Sequence, residues 1–120
     1  MKLSALFSVA ALCCSAAHAE DAAKVPVFVV IHADIKKDDA AKGAELIRHY
    51  AEDARKDKAS GMFEILQENG RPNHFTLIEE WESQAAYDRH LSSDHTVEFR
   101  SKLQPMLGSP FDERLHSELQ

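Results

Sequence analysis

The segment from residue 25 to residue 33 reads VPVFVVIHA and is apolar or β-branched on both of its alternating faces. A strand of this composition is normally covered by other layers on both sides. Pro26 stands near its start, where the missing amide hydrogen is tolerated. The segment therefore predicts an interior strand, and something must cover each of its two faces.

A helix is predicted after this strand. The polar link ends in Asp38 and Asp39, and either residue suits a helix N-cap. The helix is expected to end near Lys58, before the Ser60-Gly61 pair. Its opposite face is charged, which is typical of a surface helix with one buried stripe. That stripe, at helical spacing, consists of Ala44, Ile47, Tyr50, Ala51 and Ala54.

Two further strands are predicted over residues 61–68 and 73–82. Asn69-Gly70 is a hairpin signal, and Pro72 is expected to lengthen the loop beyond two residues. Because side chains alternate along a strand, the third strand places four residues on one face. These are Phe75, Leu77, Glu79 and Trp81.

The C-terminal part predicts two helices and a strand. Ser83 suits the N-cap of a short helix through Leu91, and a second helix is expected to run to about Leu107. Pro105 should kink or end that second helix. In the tail after this helix, the spacing of Phe111, Leu115 and Leu119 fits both a strand, with a period of two, and a helix, with a period of about four. We favour a strand because a Gly-Ser-Pro turn precedes the tail.

The resulting order is strand, helix, strand, strand, helix pair, strand. This is the α+β, ferredoxin-like split β-α-β arrangement. Helices cover one face of such a sheet, and a second copy of the chain is the economical cover for the other face. We therefore expect a homodimer.

The first 19 residues are predicted to be a signal peptide. Lys2 is followed by an apolar stretch over residues 3–17, too short for a membrane-spanning helix, and Ala17-His18-Ala19 suits signal-peptidase cleavage. The mature domain, residues 20–120, would begin at Glu20, be periplasmic or secreted, and have no stable membrane anchor. A lipid anchor on Cys13 or Cys14 is the lesser alternative, since Leu12 stands where a small residue is wanted.

The charge and glycine content exclude several classes of function. The formal net charge is −6, whereas nucleic-acid binders and polybasic membrane-surface proteins need a positive surface. The chain has 4 glycines, and none are close enough to build a phosphate-binding loop. Both cysteines lie in the predicted signal peptide, so thiolate catalysis and thiolate metal sites are excluded from the mature domain.

One run of residues resembles a known family. The run starts with Ile78-Glu79-Glu80-Trp81-Glu82-Ser83 and continues with Ala85-Ala86-Tyr87, His90-Leu91-x-Ser93-x-His95, Phe99 and Leu103. It resembles the antibiotic biosynthesis monooxygenase (ABM) domain, and its quinol monooxygenase branch in particular. The resemblance covers residues 26–119 and implies a dimeric α+β barrel, with an apolar pocket between sheet and helices in each protomer.

The resemblance also implies an activity. Characterised members oxygenate phenolic or quinol substrates with dioxygen and use neither metal nor flavin. Such a protein holds an electron-rich phenol in a dry pocket, assists removal of its proton and stabilises charge. We therefore expect a cofactor-independent monooxygenase acting on a quinol or phenol. The alternatives are a non-catalytic dimer that binds a small apolar ligand or serves in stress response, and a haem-binding or haem-degrading relative.

Three residues are the candidates for catalysis. Trp81 and Tyr87 match pocket residues of family monooxygenases, although both also suit core packing. His90 is the candidate general base because imidazole titrates near neutral pH, and a structural role at the helix junction is its alternative. Some members carry an asparagine where this chain has Leu77. Arg100 is aligned with a family arginine only in an uncertain register.

Six further residues are candidates for substrate binding. His32 ends the first strand and faces either the pocket or solvent. Glu79 shares a face with Trp81 and suits either a salt bridge or proton transfer. The remaining four are expected in the core and the pocket wall: Phe28, Phe63, Phe75 and Phe99. His95 is expected at the surface or as a cap, and no metal site is expected from His90 and His95, which are separated by a capping break.

Overall fold

The computed structural model describes residues 24–120, so the predicted signal peptide and its cleavage site lie outside the described residues. One four-stranded sheet and three helices make up the domain. In chain order they are β1 (Val27–Asp34), α1 (Ala40–Ala54), β2 (Ser60–Glu68), β3 (Arg71–Trp81), α2 (Gln84–Leu91), α3 (Asp94–Leu103) and β4 (Asp112–His116). Short 3₁₀ turns precede α1 at Lys37–Asp39 and follow α3 at Gln104–Met106.

The sheet has the order β2-β3-β1-β4, and all neighbouring strands are antiparallel. This order confirms the α+β, ferredoxin-like prediction. β1 lies between two strands: Val29 pairs with Glu79 of β3 on one side and with Leu115 of β4 on the other.

The helices cover one face of the sheet. Val29 and Ile31 of β1 and Leu77 of β3 are fully buried on this face. On the opposite face, Phe28, Val30 and Ile78 are half-buried. The sequence of β1 predicts a cover on both faces of the strand. Within the described residues of a single chain, the helices cover one of these two faces.

The β2–β3 turn is tighter than predicted. It consists of Asn69 and Gly70 alone, and Gly70 has a positive φ of 80°, which glycine adopts without steric cost. Pro72 lies within β3, where a register shift between Gln67 and Glu68 interrupts regular pairing. The Gln67 side chain donates a 2.7 Å hydrogen bond to the Pro72 carbonyl. Because this irregular end of the hairpin does not need the proline amide, Pro72 does not lengthen the loop.

Two helices are shorter than predicted. α1 ends at Ala54, where the backbone passes into turns: the amides of Lys56 and Asp57 donate to the carbonyls three residues earlier. The Arg55 Nε donates a 3.1 Å hydrogen bond to the carbonyl of Phe63 on β2. α3 ends at Leu103, and Pro105 stands in the 3₁₀ turn that follows. Asp39 occupies the N-cap of α1, but its side chain makes no capping bond.

The start of α2 and the C-terminal strand agree with prediction. Ser83 caps α2, since its Oγ accepts a 3.1 Å hydrogen bond from the Ala86 amide. The tail forms β4, with Leu115 and Leu119 exposed on the single chain. Within the described range, no helix has both the length and the apolar character needed to cross a membrane.

Candidate functional site

Two side chains of β3, Glu79 and Trp81, lie in the interior between the sheet and the helices. Glu79 and Trp81 point to the same face because they are two residues apart, and both are completely buried. The indole Nε1–H of Trp81 donates a 2.9 Å hydrogen bond to Glu79 Oε2. The other carboxyl oxygen, Oε1, has no hydrogen-bond partner among the described residues.

This environment favours the neutral form of Glu79. Burial raises the pKa of the Glu79 carboxyl to about 7, and the negative charge of Glu113 acts in the same direction. The Trp81 hydrogen bond, the positive charge of Arg100 and the nearby Tyr50 hydroxyl lower the pKa and oppose burial. Glu79 can therefore exchange a proton near neutral pH.

α2 places His90 against the indole. The two rings are stacked, with centroids 4.2 Å apart and an interplanar angle of 26°. The His90 Nε2 atom lies 2.6 Å from the Tyr50 hydroxyl, which α1 supplies. At the helix junction, the ring nitrogen is therefore hydrogen-bonded to a buried phenol.

His90 is neutral at pH 7. Burial lowers its pKa to about 4, and the nearby positive charges of His95 and Arg100 act in the same direction. The expectation of an imidazole that titrates near neutral pH is therefore wrong for this position. The physical reason is that the ring is 1% exposed, and a buried ring resists protonation.

Tyr50 connects His90 and Trp81 to aromatic side chains of α3 and β2. Its ring is stacked on Phe99 of α3 at 3.9 Å, and it meets Phe63 of β2 edge-to-face at 5.7 Å. Burial, together with the charge of Glu79, raises the pKa of the Tyr50 phenol well above its usual range. Phe63 and Phe99 are therefore core residues, as predicted, and Tyr50 links them to His90 and Trp81.

A second polar group joins α2, α3 and β4. The Tyr87 hydroxyl donates a hydrogen bond to Glu113 Oε1, and the Arg100 guanidinium donates a 2.7 Å bond to the same oxygen. Burial raises the pKa of Glu113. The guanidinium also lies over the Phe111 ring, 5.2 Å from its centroid. Arg100 is therefore the half-buried salt-bridge partner of Glu113.

Three of the residues predicted for the site do not join this cluster. Phe28 and His32 lie on the opposite face of the sheet, because they occupy even positions of β1, and the exposed His32 ring is hydrogen-bonded to Thr76 at 3.0 Å. Phe75 is buried on the helix-covered face but lies six positions before Trp81, which is about 20 Å along a strand. Of the two alternatives for His32, the solvent-facing one is therefore observed, and Phe75 is a core residue as expected. Phe28 is corrected, because it lies on the face away from Trp81 and is only half-buried.

Two residues of the cluster were missed from the sequence as site residues. Tyr50 was predicted to be buried because it belongs to the apolar stripe of α1, but nothing in the stripe indicated a bond to His90. Glu113 carried no signal, since it stands in a polar tail whose periodicity was ambiguous. Only the pairing of β4 with β1 brings it beside Tyr87 and Arg100.

Three clefts border the cluster without reaching Glu79 or Trp81. One of about 270 Å³, which we call the α1–α3 cleft, includes Tyr50, His95 and Phe99 among its lining residues. An adjoining cleft of about 500 Å³ shares Leu46, His49 and Lys102 with it. A smaller cavity of about 80 Å³ lies between Arg100 and Phe111. Glu79 and Trp81 line none of these three, and no three His, Cys, Asp or Glu side chains within residues 24–120 are placed to hold a metal ion.

Residues 26–102 match the sequence model of the antibiotic biosynthesis monooxygenase family. The chain belongs to that family. A curated relative, "Putative monooxygenase YcnE" of Bacillus subtilis (strain 168), is 20% identical over 85 residues, which cover 71% of this chain and 85% of the relative.

Solved structures resemble this ABM protein in fold. A conserved protein from Methanosarcina mazei Go1 has a TM-score of 0.75 at 21% identity and covers 83% of this chain and 99% of its own. Rv0793 from Mycobacterium tuberculosis has a TM-score of 0.74 at 19% identity and covers 79% and 96% respectively. At these identities the likeness concerns the fold alone.

The cluster of this ABM protein differs in one respect from the pattern expected for some family monooxygenases. Leu77 stands where an asparagine was expected, and it is fully buried on the helix-covered face of β3. Two residues later, Glu79 supplies a polar group on the same face. The buried carboxyl is therefore the polar group that β3 presents beside Trp81.

Proposed function

We propose that this ABM protein is a cofactor-independent monooxygenase that oxidises a quinol or phenolic substrate with dioxygen. The observation that carries the proposal is the Glu79 carboxyl, completely buried beside an aromatic cluster, with one oxygen free of partners among the described residues. A carboxyl whose pKa is about 7 accepts a proton from a bound phenol and returns it near neutral pH.

In the proposed reaction, Glu79 removes the phenol proton and the phenolate then transfers an electron to dioxygen. One oxygen atom of dioxygen enters a ring C–H position and the other leaves as water. For a hydroquinone, the balanced products are a hydroxyquinone and one water molecule. The substrate supplies all the electrons, so the protein has to orient it, take its proton and stabilise charge.

The proton-accepting role is given to Glu79 in place of His90. A neutral His90, whose pKa is about 4, is a weak base at pH 7, and its Nε2 is already engaged with Tyr50. Its stack on Trp81 suits a positioning role. The positive charge of Arg100 acts on Glu79 and supports the anionic stage of the reaction.

Burial of Glu79 requires the site to open for substrate. Side chains that cover the carboxyl must move, and their return excludes water from the reacting complex. A lasting opening would remove the burial that raises the pKa of Glu79, so the opening has to be transient.

The test is oxygen uptake in chelator-treated buffer with a substituted hydroquinone as substrate. We expect uptake above the autoxidation rate without protein, and one ¹⁸O atom from ¹⁸O₂ in the product. Glu79→Gln should reduce uptake to that background. Glu80→Gln is the matched control, since Glu80 lies next in sequence on the other face of the sheet. Uptake at the background rate with the wild-type protein would refute the proposed reaction.

A homodimer is part of the proposal. Phe28, Val30 and Ile78 form a half-buried apolar patch on the sheet face away from the helices, and Leu66 is 49% exposed. A second copy with the same patch would bury both surfaces, as two-fold interfaces do. We also propose export to the periplasm or the exterior, on the basis of the signal-peptide pattern in residues 1–19.

A second candidate function is binding of a small aromatic ligand without turnover. Complete burial of both Glu79 and Trp81, beside clefts that neither lines, favours it. Anaerobic equilibrium dialysis with a hydroquinone, followed by admission of oxygen, separates the two functions. Binding that persists without oxygen uptake supports the second.

A further inference from the structure

Tyr50 and His90 are arranged as a phenol and its proton acceptor. Their heavy atoms are 2.6 Å apart and both side chains are buried, at 4% and 1% exposure. At neutral pH the phenol holds its proton, because its pKa is raised, and the imidazole is neutral. The phenol O–H donates to Nε2 when the ring carries its own proton on Nδ1, which lies 3.4 Å from Thr96 Oγ1. A phenol with a raised pKa does not give its proton to a neutral imidazole. Loss of an electron makes the phenol strongly acidic, and the proton then moves to the imidazole.

His90 also links Tyr50 to the single tryptophan of the chain. The imidazole is stacked on the Trp81 indole at 4.2 Å, and the indole Nε1–H is bonded to Glu79. Glu79 is therefore a proton acceptor for the indole, and the His90 ring connects the indole to the phenol of Tyr50. Tyr50 in turn lines the α1–α3 cleft, so the path runs from the core to a cleft at the surface.

We propose that Tyr50 and His90 form a proton-coupled redox pair that returns an electron to oxidised Trp81, so that a radical formed in the core emerges at the α1–α3 cleft. This role goes beyond the proposed oxygenation and does not depend on it. The oxidant is a one-electron oxidant of the peroxyl radical class, which takes the electron from the buried indole through the surrounding protein.

The transfer balances in two steps. The oxidant takes one electron from Trp81, and the indole proton moves to the ionised Glu79 carboxyl. Tyr50 then gives one electron to the indolyl radical, which recovers its proton from Glu79, while the phenol proton moves to His90 Nε2. In sum, the oxidant is reduced by one electron, Tyr50 becomes a neutral phenoxyl radical and His90 becomes an imidazolium. A soluble one-electron donor at the cleft restores the phenol, and His90 returns the proton.

Tyr87 is the competing phenol. Its hydroxyl donates to Glu113 Oε1, but the same oxygen accepts a bond from Arg100, whose positive charge opposes protonation of the carboxyl. Its ring is 6.2 Å from the indole, whereas Tyr50 reaches the indole through the His90 ring. Tyr87 lines none of the clefts described above, so a radical formed on it would stay away from the surface. These differences favour Tyr50.

The composition makes the test clean, because the chain has two tyrosines and one tryptophan. The full chain is irradiated with tris(bipyridine)ruthenium(II) and a sacrificial electron acceptor, and the radicals are followed by transient absorption and by electron paramagnetic resonance of frozen samples. We expect the indole radical to decay as a neutral tyrosyl signal rises, and the rise to be slower in D₂O. Added ascorbate should quench the tyrosyl signal.

Matched variants assign the signal. Tyr50→Phe keeps the ring on Phe99 and removes only the hydroxyl, so the tyrosyl signal should be lost and the indole radical should persist. Tyr87→Phe should behave as the wild type. Loss of the signal in Tyr87→Phe with retention in Tyr50→Phe would overturn the proposal, and so would a rise that is equally fast in D₂O. The D₂O comparison uses the wild-type protein, and it therefore tests proton coupling even if a His90 variant does not fold.

Discussion

The indole Nε1–H of Trp81 donates a 2.9 Å hydrogen bond to Oε2 of Glu79, two residues earlier on β3, and neither side chain has any exposed surface. The bond stabilises the ionised carboxyl, while burial stabilises the neutral one. Burial is the larger effect, and the carboxyl titrates near pH 7 for that reason.

Trp81→Phe keeps an aromatic ring in the core and removes the only donor that the described residues direct at Oε2. We expect the pKa of Glu79 to rise above 7, because the ionised form loses its hydrogen bond. Stability at pH 8 should fall by about 1–3 kcal/mol, the cost of an unsatisfied buried polar group. Urea denaturation and a carboxyl NMR titration measure the two effects. A Glu79 pKa that does not change would contradict the bond.

Turnover by the proposed monooxygenase should increase with pH through about 7 as Glu79 ionises. The measurement is oxygen uptake between pH 5 and pH 8, corrected for autoxidation. His90→Gln should show the same increase of turnover with pH, because His90 is already neutral across most of the range. If His90→Gln removed this increase while its thermal midpoint stayed close to that of the wild type, the assignment of the base to Glu79 would be wrong.

Much of the fold could be predicted because its signals are local. Alternation along residues 73–82 placed Glu79 and Trp81 on one face, and the serine at position 83 fixed the start of α2. The loop around Pro72 could not be predicted from its dipeptide signal, since the irregular pairing near Gln67 decides whether a proline fits in the strand. The end of α1 could not be predicted to the residue, because charged side chains continue through Lys58 while the amides of Lys56 and Asp57 already form turns.

The candidate site could be predicted only in part because it is assembled from distant segments. Trp81, Tyr87 and His90 were identified, and they meet in the structure. Tyr50 and Glu113 come from α1 and β4, and only the tertiary packing gives them polar partners. Phe28 was misplaced because a strand with two apolar faces does not reveal which face the helices cover. For the same reason the sequence left two alternatives open for His32.

Ile78→Lys should convert the proposed homodimer to a monomer. Ile78 is paired with Val30 in the middle of the uncovered face, and Glu64 on its other side can partner the new ammonium group within the chain. Burying that group between two sheets would be costly. Sedimentation should show two chains for the wild type and one for the variant, with unchanged circular dichroism. Val97→Lys, at a 57% exposed position on α3, is the control and should remain dimeric. A monomeric wild type would end the dimer proposal.

Export should produce a chain that begins at Glu20. Ala17 and Ala19 suit the small-residue positions before the cleavage site, whereas Glu20 does not. Expression of the full sequence with its own leader, followed by intact mass measurement of periplasmic material, tests this. A mass that includes residues 1–19 would refute the signal-peptide prediction.

Glu79 and His90 should make opposite contributions to the pH dependence of stability. Folding raises the pKa of Glu79 from 4.5 to about 7, so unfolding releases a proton between these values and stability falls as pH rises. Folding lowers the pKa of His90 from 6.5 to about 4, so unfolding takes up a proton and stability rises with pH. Each contribution is about 3 kcal/mol, since one pKa unit corresponds to about 1.4 kcal/mol.

The two contributions overlap between about pH 4.5 and pH 6.5 and should largely cancel there in the wild-type protein. Glu79→Gln removes the falling contribution, so its stability relative to wild type should increase with pH up to about 7. His90→Gln removes the contribution that rises with pH, so its stability relative to the wild type should be greatest near pH 4 and should decline towards pH 6.5.

Urea denaturation of all three proteins at half-unit pH steps measures these differences. Because each variant is compared with the wild type at the same pH, the titration of surface groups cancels. Parallel stability curves for the wild type and Glu79→Gln would mean that Glu79 titrates in the folded protein as it does in the unfolded chain, which would remove the physical basis for its role as a base near pH 7.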